Sequence, residues 1–359
     1  MYSASIRELN RVRSFLVSKR FHRNHRVKAF KALKNIESEN GELGKKPKAL
    51  CDEYSRDIFG SMVYSPWLYV YSAVSGGFKE GWIPDNYYGK MVVPNIKGAY
   101  GSISELKPLN VTFFGETYFP DIASHINGLF FDVHSRVITK DQVSSILFAT
   151  NEKVVFKIDH SSKGKGIFVF GRHNFDVDIV CKLGNGVFQS YIDQDETLAE
   201  FSSSSVSTLR LTTTTEADGS ARVRTARLRL GRDGDAHMRS DRNVRISVNL
   251  SNGRLGRSGY NVDWTAMPIH PDSKKPFSDF FYPKFNEACE VALKLHAKVP
   301  YVQCIGWDIC VDRIGEVKVM EWNGTHNGIS FDEALQGPCF KGLDWERFAK
   351  YGGSMRNKS

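Results

Sequence analysis

The chain changes texture along its length. Near the start, Ile6, Leu9, Val12 and Leu16 recur at helical spacing with Arg and Lys between them, so the pattern predicts a basic amphipathic helix. SMVYSPWLYVYSAVSGGF is almost continuously apolar but holds Pro66 and a glycine pair, and it reads as a buried, interrupted helix. GWIPDNYYGKMVVPNIKGAYGSISELKPLN is rich in turn residues, with a short apolar run at 91–93, and KDQVSSILFAT then reads as a helix. From residue 154 alternation takes over. STLRLTTTTEADGSARVRTARLRLG has period two, and its Asp218-Gly219 pair is a strong hairpin turn. YPKFNEACEVALKLHAKV is an amphipathic helix and GWDICVDRIGEVKVMEWNG a second hairpin, while the tail after residue 343 is polar and reads as frayed.

Composition narrows this picture. The 359 residues are 41% hydrophobic, ample for a buried core in more than one lobe. A net charge of +9 favours anionic partners such as nucleotides, acidic sugars, nucleic acid or anionic lipid. Cys51, Cys181, Cys289, Cys304, Cys310 and Cys339 are scattered, without CxxC pairing or zinc spacing. They read as reduced, mostly buried thiols of a cytoplasmic protein. The first residues lack the apolar core and cleavage site of a signal peptide, and no clean apolar run of ~18 residues is present to span a bilayer. The basic first helix has two readings: a solvated helix packed on the body, or a peripheral contact with the inner face of an anionic membrane.

Three pieces carry candidate chemistry. In VVFKIDHSSKGKGIFVF, Lys157 lies on a strand that leads through a Gly/Lys/Ser turn into a second strand. Such a turn can lay backbone N–H groups and lysines over phosphates, or it can decorate a surface. It is neither a Walker A loop nor a dinucleotide fingerprint, because Gly164 and Gly166 precede a strand rather than a helix. In NGVFQSYIDQDETL a strand ends at 189–192 and turns acidic. Its opened backbone could meet an adenine edge, with Gln189 at the exocyclic amine and Asp195 or Glu196 at ribose hydroxyls. In the late hairpin, a two-residue turn at Ile314-Gly315 would pair Arg313 with Glu316 and, in the same register, Asp308 with Glu321. Strand alternation puts Glu321 and Asn323 on one face. Two acids facing each other would repel without a cation, and three oxygen ligands on one surface suit Mg²⁺.

A lysine strand with a Gly-rich turn, a Q-x-Y-I hinge, then Asp…Glu-x-Asn on late strands resembles the ATP-grasp superfamily. SVSTLRL and the GWD context resemble its sugar-transfer-associated branch, linked to polysaccharide and capsule biosynthesis. The likeness covers about residues 80 to 340. It implies an α+β fold in which two α+β lobes with antiparallel sheets grip the nucleotide, preceded here by a basic helical N-terminal segment. The corresponding divisions are 1–55, a mixed region at 56–150, a small lobe at 151–195, a large lobe at 196–345 and a polar tail at 346–359. The resemblance implies Lys157 and Lys140 at the phosphates of ATP. It makes residues 161–166 (Ser161, Ser162, Lys163, Gly164 and Gly166 among them) the lid, and Gln189, Tyr191 and Ile192 the hinge. Glu196 would meet the ribose, and Asp308, Glu321 and Asn323 would hold two Mg²⁺ ions. Two departures stand out. NGTHNG replaces the Pro-Gly turn after Glu-x-Asn, bringing His326 and Asn327 to the phosphate side. Gly306 stands where relatives carry an arginine, and Arg210 is the candidate replacement.

Relatives activate a carboxylate with ATP and then join it to an amine. The resemblance therefore implies an ADP-producing ligase. The arginines between Arg222 and Arg257, Arg242 and Arg245 above all, suit an acidic sugar or polysaccharide precursor as acceptor, with His326 beside it and an amino acid or other amine as second substrate. The alternatives are a sugar or polyol kinase on the same fold, or a non-catalytic basic binding protein. No nucleic-acid partner is expected, because that reading leaves Asp308, Glu321 and Asn323 without a purpose.

Overall fold

A computed structural model describes residues 2–115, 118–161, 166–234 and 241–351. The chain divides into two compact units: Met1–Asn95 with Asp263–Thr265 and Gly328–Ser359, and Ile96–Val262 with Ala266–Asn327.

The first unit is helical. Helix Tyr2–Asn40 opens it, but its buried seam is His25, Ala29, Ala32, Leu33 and Ile36, while Leu16 is 59% exposed. Of the expected seam Leu16 does not join these residues, and the side chains of Ile6, Leu9 and Val12 lie outside the described residues. Helix Lys45–Phe59 ends at Gly60, whose φ of 72° lets its N–H reach Arg56 O. Pro66 does not interrupt the next helix but opens it: Ser65–Ser75 carries the proline in its first turn, where its missing N–H costs nothing. Trp67, Leu68, Val70 and Tyr71 of that helix are buried. The turn-rich stretch folds into short α, π and 3₁₀ segments between Asp85 and Leu109. The tail is not frayed as far as Tyr351: the 3₁₀ segment Trp345–Tyr351 buries Trp345 and Phe348. Among the described residues, no helix is long and apolar enough to cross a membrane.

The second unit holds two wholly antiparallel sheets. The smaller contains β1 (Asp121–Ile126), β2 (Leu129–Asp132), β3 (Val137–Ile138), β4 (Lys153–Ile158), β5 (Ile167–Gly171) and β6 (Gly186–Ser190), in the order β3-β2-β1-β6-β4-β5. The larger contains β7 (Thr208–Thr215), β8 (Ala221–Leu230), β9 (Val244–Val248), β10 (Leu255–Tyr260), β11 (Ala266–Met267), β12 (Cys304–Val311) and β13 (Val317–Asn323), in the order β11-β10-β9-β8-β7-β12-β13.

Each sheet buries one face under helices. Val154, Phe156, Phe170 and Phe188 form a core with Val143 and Leu147 of helix Lys140–Leu147 and Val180 of helix Val177–Leu183. Leu209, Leu211, Ala226, Leu228, Trp307 and Ile309 pack with Ala288, Val291, Ala292 and Leu295 of helix Phe285–His296. Because strand side chains alternate, the intervening positions (Lys157 on β4, Arg210 on β7, Arg227 and Arg229 on β8) point away from those cores. The site is built on these outward positions.

Candidate active site

The β12–β13 hairpin sets the register of the site by two compensating irregularities. Its turn is one residue longer than expected: Val311 pairs with Val317, not Lys318, and Asp312 and Glu316 close the loop, with Gly315 at φ 82°. Three-residue loops with glycine in the left-handed region are a standard hairpin solution. A bulge at Met320 then restores the count, so that Asp308 does face Glu321 and Gly306 faces Asn323. A bulged residue leaves its ladder partnering. The Met320 carbonyl accepts instead from Lys157 Nζ at 3.0 Å and Gln189 Nε2 at 3.4 Å.

Register extends this pair into a row across the larger sheet. Arg227 faces Arg210, Arg210 faces Asp308, and Asp308 faces Glu321. Arg210 grips Asp308 through two parallel bonds, Nε to Oδ1 at 2.5 Å and Nη2 to Oδ2 at 2.7 Å. Arg229 Nη2 reaches Asp308 Oδ1 at 2.7 Å. Burial alone would raise the pKa of Asp308, but the charges of Arg210 and Arg229 and their hydrogen bonds outweigh it and hold the carboxyl well below the ordinary range. The Arg210 guanidinium also fills the space over Gly306, where an added Cβ would lie 3.0 Å from Arg210 Nη1.

The row lines one wall of a cavity of about 480 Å³, with Lys107, Lys157, Ser161, Thr325, His326 and Asn327 among the other lining residues. A smaller slot of about 90 Å³ shares Lys157, Ile167 and Met320 with it and is otherwise lined by Val155, Val169, Gln189, Ser190, Tyr191, Ile192 and Val206. Lys157 therefore stands where an apolar slot meets a polar cavity. Burial lowers its pKa, opposed by the charges of Glu321 and Asp121. Asp121 takes a bond from Gln189 Nε2 at 2.6 Å, and burial pushes its carboxyl up to about 6 against that bond and the Lys157 charge.

The loop after Glu-x-Asn is clamped without proline. Lys97 Nζ donates to Thr325 O at 2.5 Å and to Asn327 Oδ1 at 3.1 Å, and burial lowers the Lys97 pKa to about 8. Ser104 Oγ accepts from Gly324 N at 2.9 Å. Gly101 and Gly324 cross so closely that a Cβ on Gly101 would lie 2.3 Å from Gly324 O.

Of the expected residues, Lys157, Ser161, Arg210, His326, Asp308, Glu321 and Asn323 gather around the larger cavity, and Gln189, Tyr191 and Ile192 around the slot. Gln189 spends its amide donors on Asp121 and the Met320 carbonyl, so it cannot donate to an adenine edge. Lys140 does not join them: it is exposed and pairs with Asp178 at 3.0 Å. Glu196 is likewise exposed, with Arg313 at 3.4 Å. Asp195 serves as the N-cap of helix Glu196–Ala199. Arg242 is exposed, whereas Arg245 faces Arg229 across β8–β9 and donates to Asn261 O at 2.7 Å. Gly166 begins the return to β5, where an added Cβ would sit 2.3 Å from Ser161 Cβ. Ser162, Lys163 and Gly164 lie outside the described residues. Sequence reading missed Lys97, Lys107, Asp121, Arg227 and Arg229. The last two share the alternation of ARLRL and could have been found by pairing β8 with β7.

For a divalent cation, no three His, Cys, Asp or Glu side chains group suitably among the described residues. The donors are instead two carboxylates and an amide: Glu321, Asp308 and Asn323, whose Nδ2 donates to Gly306 O at 3.3 Å and leaves Oδ1 as an acceptor. This all-oxygen set fits Mg²⁺, a cation that would complete its shell with phosphate oxygens and water.

The second unit thus brings together two antiparallel sheets, an apolar slot, Lys157 at its mouth and an Asp…Glu-x-Asn hairpin. Residues 179–343, carrying β6 to β13, match the family described as sugar-transfer associated ATP-grasp. The resemblance read from the motifs is thus shown over that segment. Comparison with curated proteins finds no match. Solved structures similar to the chain include N5-carboxyaminoimidazole ribonucleotide synthetase from Thermotoga maritima, 12% identical with a TM-score of 0.39 over 76% of this chain and 61% of that one. Another is the ATP-grasp ligase PsnB complexed with its minimal precursor, 12% identical, TM-score 0.40, over 71% and 63%. A third is biotin carboxylase from Campylobacter jejuni in a β-γ-ATP complex, 12% identical, TM-score 0.44, over 90% and 68%. The chain spans 46% of the purK ADP-complex chain and, as above, less than two-thirds of the first two.

Proposed function

We propose that the protein is an ATP-dependent carboxylate–amine ligase working through an acyl phosphate, and that its carboxylate belongs to an acidic sugar of a surface polysaccharide or its precursor. The observation that carries this reading is the junction at Lys157: an apolar slot of about 90 Å³ opening beside a cavity of about 480 Å³ lined by arginines, lysines and three acids. The sugar-transfer description of the matched family supports the sugar.

In this reading the adenine lies in the slot among Val155, Val169 and Ile192. The backbone of Tyr191 and Ile192, beyond the end of β6, meets its edge. Lys157 and Lys107 neutralise the phosphates, with Ser161 beside them. Asp308, Glu321 and Asn323 would hold Mg²⁺, which would supply charge neutralisation at the phosphates. Arg210 steadies the transferred phosphoryl group from the opposite side. The acceptor carboxylate oxygen attacks the γ-phosphorus as its bond to ADP breaks. The amine nitrogen then attacks the carbonyl carbon, phosphate leaves, and the nitrogen gives its proton to solvent. Positioning and charge neutralisation are the protein's contribution.

The test is the release of ADP from ATP and Mg²⁺ with a panel of uronic acids and amines. ADP and phosphate should appear only when both a carboxylate and an amine are supplied. A stable phosphoester formed without amine would replace this reading with a sugar kinase.

A further inference from the structure

The basic first helix, Tyr2–Asn40, takes no part in the ligase reading. From residue 10 to residue 36 it carries nine lysines and arginines and no aspartate or glutamate. Its two faces differ. The seam of His25, Ala29, Ala32, Leu33 and Ile36 is buried, and it packs on helix Ser65–Ser75, where Trp67 Nε1 donates to His25 Nδ1 at 3.1 Å. Arg13, Arg20, Arg23 and Lys34 lie exposed on the opposite face. Leu16, Val27 and Phe30 alternate with them in steps of three and four residues, so all share one stripe, and these three are 59%, 62% and 41% exposed. At the helical rise the stripe from 13 to 34 is about 32 Å long. Water alone suits neither half of it. Arg20 and Arg23 are like charges one turn apart, an arrangement that destabilises a helix. Acids brought to this helix serve other residues: Asp263 pairs with Lys31 at 2.6 Å, Asp85 lies 3.6 Å from His25 on the buried side, and Glu37 pairs with Lys48 at 3.2 Å. The aliphatic side chains meanwhile stay in contact with solvent.

We infer that this stripe docks on the surface of an anionic lipid bilayer, with the helix lying in the plane of the interface. The two kinds of side chain on the stripe define the partner. A bilayer interface places phosphates directly above hydrocarbon, so it accepts both kinds from one helix face. Leu16 stands between Arg13 and Arg20, and Val27 between Arg23 and Lys34, so each aliphatic side chain that enters the acyl boundary has a cation on either side at the headgroups. The long stems of these cations can follow the aliphatic groups inward while their heads remain with phosphate. Phe30 enters beside Arg26, whose Cζ lies 5.5 Å from the ring centroid. Nucleic acid would neutralise the same cations but leave Leu16 and Val27 in water. The helix lies on the bilayer rather than across it, because it is not apolar enough to span one.

This inference does not rest on the ligase reading, and its test uses the full chain without nucleotide or Mg²⁺. The protein is sedimented with vesicles of equal parts phosphatidylglycerol and phosphatidylcholine. Pure phosphatidylcholine vesicles are the uncharged control, and polyuridylate is a polyanion without a hydrocarbon phase. The protein should sediment with the anionic vesicles and not with the control, and added salt should release it. Arg13→Gln, Arg20→Gln, Arg23→Gln and Lys34→Gln together should weaken vesicle binding about a hundredfold or more, at several-fold per cation. Leu16→Gln, Val27→Gln and Phe30→Gln together keep every charge. They should weaken vesicle binding about tenfold or more and leave any affinity for polyuridylate unchanged. These positions are exposed and glutamine is a good helix former, so both variants keep the helix. Arg13→Lys, Arg20→Lys and Arg23→Lys should bind the vesicles as the unchanged protein does. Failure to bind the anionic vesicles overturns the inference. So does vesicle binding that ignores the loss of Leu16, Val27 and Phe30, which would assign the stripe to a polyanion such as nucleic acid. Loss of binding in the three Arg→Lys changes also overturns it, because that would assign the arginines to bidentate recognition by a protein partner.

Discussion

The outward faces of the two sheets are made by the same alternation and end in opposite chemistry. On β4 and β5 the positions turned from the core include Val155, Lys157, Ile167 and Val169, a buried lysine among aliphatic side chains, with Lys153 exposed at the strand's start. On β7, β8, β12 and β13 they include Arg210, Arg227, Arg229, Asp308 and Glu321. Lys157 is balanced at a distance, by a carbonyl and by acids from other strands. The charges of the larger sheet are balanced directly by their cross-strand neighbours. One face is mainly apolar, the other carries charges of both signs. Removing a charge should therefore have different consequences on the two faces.

The largest effect falls on the larger sheet. Asp308→Asn strands two buried guanidiniums and should cost about 3 kcal/mol in stability, at the lower end for a broken buried ion pair, read by urea denaturation. On the smaller sheet, Lys157→Ala should leave the fold intact. It should weaken ATP binding by about ten- to a hundredfold, the worth of a charge-assisted hydrogen bond, and unchanged ATP affinity in the folded variant would remove Lys157 from the nucleotide site. Asp121 gives a pH signature of unusual sign. Its folded pKa is raised from 3.8 to about 6, so between these values the folded protein holds a proton that the unfolded chain has lost. Its contribution to stability accordingly declines as pH rises from about 4 to about 6 and levels above that. Asp121→Asn should remove this decline from denaturation curves measured across that range; an identical decline in the variant would show that Asp121 is not its source. The smallest stability change belongs to Glu321→Gln, within about 0.5 kcal/mol, because this acid is not held by the arginines. Turnover should nevertheless collapse, and full activity would rule out Glu321 as a metal ligand.

The large sheet and the pairing of Asp308 with Glu321 were legible because strand alternation and hairpin turns are local signals. The pairing was reached through a turn one residue too short, and the bulge at Met320 made good the difference. Nothing in VKVMEWN marks Met320 as the bulged position. Lys140 carried the wrong expectation for a physical reason: it begins helix Lys140–Leu147, whose buried side chains Val143 and Leu147 face the smaller core and leave the lysine on the surface with Asp178. Lys97 and Lys107 were invisible because they sit among short 3₁₀ segments without hydrophobic period. Their positions depend on long-range contacts, with Thr325 and Asn327 for Lys97 and with Ser161 for Lys107. Asp121 was hidden in the same way, since its partner Gln189 is 68 residues away.

The most direct test of the ligase account is a trapping experiment. The protein is given ATP, Mg²⁺, D-glucuronate and hydroxylamine, with no other amine. An acyl phosphate is an electrophile that hydroxylamine intercepts, so a glucuronyl hydroxamate should form in step with ADP and phosphate, and Glu321→Gln should form neither. A phosphorylated sugar that persists in hydroxylamine, with ADP but no hydroxamate, would contradict the account.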